Sequence, residues 1–156
     1  LSFMSPDVKL SLGSDGGHAR FRQMVARTPS VWLALEWALR HGGHFGGGGD
    51  WFAAPYTAEA KLGKIEPFDA LIVISRAAPL RAGPNSRARI VARLSYDIVA
   101  MVAPPGRRGQ VWRKVRAPDG KTGWLNKRYT RSPIDYRVVF RKQGGDWTVV
   151  SFLSGD

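Results

Sequence analysis

Cysteine is missing from this chain altogether, which excludes disulfides, thiolate metal sites and thiol nucleophiles. An exported protein needs no disulfide, so the compartment stays open on that count. Histidine is scarce, at three residues, and acidic side chains number 12 against 24 Lys and Arg. A strained Gly-x-Ser-x-Gly elbow is absent, which removes the commonest serine hydrolase signature. No apolar run reaches the roughly 18–20 residues of a membrane helix. The longest candidate, Val31 to Leu39, is interrupted by Glu36. The chain opens on Leu1 rather than Met, without a charged segment followed by an apolar one. It therefore reads as a processed or trimmed product, with any signal peptide lying outside it.

What is present is enough for a core. Of 156 residues 44% are hydrophobic, and six are Trp, so the length accommodates one ordinary domain or two small ones. The formal charge of +12 is uneven. Residues 1–75 carry seven basic and seven acidic side chains, whereas residues 76–142 carry seventeen basic and three acidic ones. Such a block favours an anionic partner, be it nucleic acid, anionic lipid or an acidic envelope polymer; a role in solubility alone is the other reading.

Periodicity places the elements. Val8, Leu10 and Leu12 alternate with polar neighbours, as on a half-buried strand. After Gly13 to Gly17, Asp15 is positioned to cap a helix running to Arg27, with Phe21, Met24 and Val25 on one face. Pro29 interrupts it. Ser30 then suits the N-cap of a second helix, Val31 to Arg40, which is apolar nearly all round and calls for burial on several sides. Gly42-Gly43 stops it, Gly46 to Gly49 is flexible by composition, and the aromatic cluster Trp51 to Tyr56 folds back onto a core. Asp69 to Ser75 is a β-branched strand, apolar on both faces and so central. Strands follow at 88–93, 96–102, 111–117 and 122–125, with an exposed turn at Pro104 to Gly109 and an Asp119-Gly120 hairpin. Asp135 to Lys142 and Trp147 to Leu153 form a last hairpin, with Tyr136, Val138 and Phe140 on the face opposite Arg137 and Arg141.

Several motifs carry less chemistry than their composition promises. His41-Gly-Gly-His44 with Asp50 offers metal ligands, but among so many glycines the pair is better explained as a helix stop. Gly46 to Gly49 lacks the Gly-Lys-Ser/Thr ending of a phosphate loop. The carboxylate pairs Asp7/Asp15 and Glu66/Asp69 sit in loops and at strand starts, poor places for paired acid and base work. An enzyme is not expected, and neither a metal nor any other cofactor.

Three motifs carry a resemblance. Pro79-Leu-Arg-Ala-Gly-Pro-Asn85, Val111-Trp-Arg-Lys-Val115 and Asp119-Gly-Lys-Thr-Gly-Trp124 resemble the bacterial SH3-like domain. The resemblance implies a small β-barrel at 76–131, a role in binding rather than catalysis, and a cell-envelope setting. In such barrels aromatic side chains line a groove between loops, and planar rings there stack on sugars or peptide planes while Arg meets carboxylate or phosphate. That implies Arg81, Tyr96, Trp112, Arg113, Trp124, Lys127 and Tyr129 as ligand contacts, with Trp112 and Trp124 serving otherwise as core or rim residues.

The ending, with Tyr136, Phe140, Trp147 and Phe152, resembles the terminal hairpin of α+β domains similar to nuclear transport factor two, in which helices pack on a curved antiparallel sheet. Together the two resemblances imply an α+β protein. A unit of residues 1–75 and 132–156, with two helices, would hold the SH3-like barrel inserted in it or appended to it. The functional expectation is a non-enzymatic, periplasmic or extracellular binding protein that recognises a peptide or an anionic cell-wall component, or possesses another protein as its partner. Single-stranded nucleic-acid binding and a purely structural interaction role are the alternatives.

Overall fold

The computed structural model describes residues 3–13, 15–102 and 110–155; the turn expected at Pro104 to Gly109 lies outside them. The chain opens with β1 (Met4–Lys9), α1 (Gly17–Arg27), α2 (Ser30–Arg40), β2 (His44–Gly46) and β3 (Trp51–Ala54). There follow β4 (Ala70–Val73), β5 (Ala78–Arg81), β6 (Ile90–Leu94), β7 (Ile98–Met101), β8 (Trp112–Arg116), β9 (Thr122–Asn126) and β10 (Thr130–Arg131). The chain closes with β11 (Arg137–Gln143) and β12 (Asp146–Leu153). Contacts divide it into two compact units, one of Leu1–Glu59 with Ile134–Asp156 and one of Ala60–Pro133. Among the described residues each unit has one sheet and one core cluster.

In the first unit the strand order is β1-β12-β11-β3-β2. The sheet is mixed rather than wholly antiparallel, because β1 runs parallel to β12. Val8, Phe21, Val31, Leu35, Ala38, Val138 and Phe152 lie in its core, with Met24, Val25, Tyr136 and Phe140 packed against them. Phe152 is the hub, since Tyr136 stacks on it at 5.0 Å and Phe21 meets it edge-on at 6.2 Å. Neither helix is capped as the sequence predicts. Asp15 does not cap α1; its carboxylate instead pairs with Arg20 at 3.5 Å. Ser30 is already inside α2, whose N-cap is Pro29. Leu12 falls beyond β1 and is exposed, so the alternation from Val8 ends at Leu10.

The larger departure is in α2. Val31, Leu35 and Ala38 are buried, but Trp32, Leu33 and Leu39 are each more than half exposed. One sheet covers one stripe of a helix, and this helix is apolar well beyond that stripe. The flexible glycines close the β2–β3 turn, and β3 joins the sheet beside β11.

The second unit has strand order β10-β4-β7-β8-β9-β5-β6. β4, expected from the sequence in the α+β unit, pairs with β7 and β10 here, and Leu71 and Val73 belong to this unit's core. Among the described residues no ladder joins β10 to β6, so the strands form an open sheet in place of the expected barrel. A bulge between Leu80 and Arg81 lets β5 pair with β6 along most of its length and reach β9 only at Arg81.

Candidate ligand-binding surfaces

The β8–β9 hairpin organises the second unit. At its turn Gly120 has φ +83°, a conformation that disfavours any side chain. Asp119 stabilises the turn: its Oδ1 accepts from the Lys121 amide at 3.0 Å and its Oδ2 from the Lys121 ammonium at 2.8 Å. These bonds hold the Asp119 carboxyl below the usual carboxylate range. Gly123 has a different purpose. A Cβ there would stand 2.8 Å from both the Arg81 carbonyl oxygen and Leu80 Cγ, so the missing side chain is what lets β5 approach β9. The Gly-x-x-Gly-Trp motif thus encodes a turn and then a close strand contact.

Register assigns the faces of this hairpin. Val115, Gly123 and Leu125 point inward and are buried. Trp112, Lys114, Arg116, Thr122, Trp124 and Asn126 therefore share the outward face. Lys114 lies directly opposite Trp124 on one side, and Arg81 pairs with Trp124 on the other. The result is a row across three adjacent strands: cation, indole, cation. Trp112 stands two residues from Lys114, and neither Trp belongs to the core. Arg81 is held in place by its own Nη1–H, which donates to the Ala88 carbonyl at 2.7 Å, leaving its other N–H groups free in direction. β5, β8 and β9 contain no Asp or Glu, so no carboxylate on these strands neutralises the row.

The seven residues expected at a binding site do not form one cluster. Arg81, Trp112 and Trp124 share the outward face. Lys127 is exposed at the end of the same hairpin, where its amide donates to the Val111 carbonyl at 2.8 Å. Arg113 does not join them. It falls on the inward side of β8, opposite Leu125, and its guanidinium turns back to the Gln110 carbonyl at 2.8 Å. Tyr96 and Tyr129 flank the exit of β4, bonded through their backbones to Ser75 and Ile74. Tyr96 is 54% exposed, at φ 59°. Tyr129 leans on the core, and the Arg128 guanidinium lies 4.6 Å from its ring centroid and bonds its hydroxyl.

Charge follows the same division. Residues 60–133 hold sixteen basic and four acidic side chains, and the rest of the chain holds eight of each. The whole formal excess of +12 therefore belongs to the second unit.

The first unit contains a surface whose lining residues the sequence did not single out as a site. A cavity of about 500 Å³ opens between α2 and the sheet, lined by residues that include Phe3, Trp32, Glu36 and Leu39. A second recess of about 270 Å³ adjoins it, sharing Leu39 and Phe140 and adding Phe45, Phe52 and Trp147. The signal was legible in α2, a helix with more apolar surface than one sheet can cover. The glycine-rich segment met as a metal candidate has a packing role instead: His41 stacks on Trp37 at 3.9 Å and hydrogen-bonds its carbonyl at 2.6 Å, and His44 meets Trp51 edge-on.

Residues 75–131 match the family model of the bacterial SH3 domain. Domains of that family serve in binding, often at the cell wall, and occur often in extracellular and cell-envelope proteins. No curated protein matches the chain, and no solved structure does.

Proposed function

We propose that this protein is a non-catalytic binding protein of the cell envelope, whose bacterial SH3 domain holds a peptide or an anionic cell-wall component on the outward face of β5, β9 and β8. The observation that carries this reading is the row Arg81–Trp124–Lys114. An indole offers a flat apolar face to a sugar ring or a peptide plane. The flanking cations supply charge-assisted hydrogen bonds to carboxylate or phosphate on either side. Those strands carry no histidine, Asp or Glu, and in this reading the row acts through stacking and charge alone. No cofactor enters the reading.

Co-sedimentation with purified peptidoglycan sacculi tests it. The protein should be retained at low salt and released as ionic strength rises, since exposed cations are screened over about 10 Å at 0.1 M. Trp124→Ala should weaken retention about tenfold, equivalent to about 1.4 kcal/mol, and Arg81→Glu with Lys114→Glu should abolish it. Absence of retention at low salt, or retention indifferent to all three substitutions, would overturn the proposal. Tighter binding to a single-stranded oligonucleotide, with a steep salt slope, would assign the row to nucleic acid.

A further inference from the structure

The two recesses of the first unit belong to one line of side chains. Met4 pairs with Val149, Val149 with Phe140, Phe140 with Phe52, and Phe52 with Phe45. Directly paired residues project from the same face of a sheet, so these five form a continuous apolar row across β1, β12, β11, β3 and β2. Strands are ~4.8 Å apart, which makes the row about 19 Å long. Over it runs the Trp32–Leu35–Glu36–Leu39 edge of α2, positions spaced to share one helical face. Met4 and Val149 are buried at one end of the row, Phe45 at the other end is more than half exposed, and so are Phe3, Trp32 and Leu39 at the rim of the recesses.

We propose that this row is the binding site of a single long acyl chain with an anionic head group. The row is long, and a straight chain laid along it meets all five side chains in turn. A saturated chain with bonds of ~1.5 Å advances about 1.25 Å per carbon, so about 15 carbons span the row. The joined recesses have the size of a small-molecule site, and their lining is apolar except at Glu36. Glu36 is neutralised by Arg40 on the next turn of α2, at 2.8 Å. The head group has a counter-charge at the other recess. Lys142 shares a face with Phe140 on β11 and lies directly opposite Trp147, which lines that recess; Trp147 in turn leans to 5.9 Å from Phe45. A carboxylate or phosphate there meets the Lys142 ammonium while its chain follows the row beneath α2.

Isothermal titration calorimetry on the full chain, below the critical micelle concentrations, tests this with palmitate, decanoate, hexadecanol and 1-palmitoyl-lysophosphatidylglycerol. Palmitate should bind one to one and decanoate at least tenfold more weakly. Leu39→Gln should weaken palmitate at least tenfold with its thermal melt unchanged, because Leu39 is already at the surface. Lys142→Gln should weaken palmitate several-fold and leave hexadecanol unaffected. The tighter of palmitate and the lysophospholipid names the source of the chain. Trp124→Ala should change none of these affinities, which separates this site from the SH3 surface. The proposal is overturned if palmitate shows no saturable binding, if decanoate equals it, or if Leu39→Gln binds like the parent. A dimer that Leu39→Gln dissociates, with no acid bound, would equally overturn it and assign the face to a second copy of the chain.

Discussion

Gly123 shows how much one absent side chain can decide. Its neighbours would have to give by several tenths of an ångström to admit a methyl group, and one of them is backbone oxygen. Gly123→Ala is therefore expected to destabilise the second unit by about 1–3 kcal/mol, as overpacking does, seen as a lowered midpoint in thermal unfolding. Asp119 offers a test of a different kind. Its folded pKa is depressed by the Lys121 side-chain bond first and the Lys121 amide second. A depressed carboxyl stabilises the fold above its unfolded pKa and loses that contribution as pH falls through the folded one. Lys121→Ala should raise the Asp119 pKa toward its ordinary value in an NMR titration, and an unmoved pKa would show that the ammonium has no part in it.

Among the elements, α2 and the β8–β9 hairpin carry opposite lessons. The hairpin was readable because its signals are local: an Asp-Gly turn, alternating strands and a glycine three residues on. Its outward row was only half readable, since Arg81 comes from a strand some forty residues earlier and meets Trp124 through pairing alone. The position of Arg113 opposite Leu125 was not readable for the same reason, because composition counts a cation and register decides its face. In α2 the excess of apolar surface was legible, but which side the sheet would cover was not. Leu35→Ala should cost about 2–5 kcal/mol through loss of buried contacts, while Leu33→Gln should leave the melting temperature within a degree or two. Equal effects of the two substitutions would refute the placement of α2.

At the scale of the molecule, two cores share no residue. One is drawn wholly from residues 4–54 and 138–152, the other wholly from residues 71–125. A fragment of residues 60–133 is accordingly expected to unfold cooperatively by itself and to keep the sacculus binding of the whole chain, because its core and its charge are both internal to it. A non-cooperative melt of that fragment would contradict this.

The composition and local patterning were sufficient for the mixture of helices and strands, for the basic middle of the chain and for the SH3 motifs, because propensity, turn chemistry and charge are properties of neighbours in sequence. Strand partners are not. The pairing of β4 with β7 and β10, the sheet that stays open, the parallel β1 and the five-residue apolar row all join segments far apart along the chain. Their choice depends on which faces can be buried together, and that is settled only when the chain packs in three dimensions.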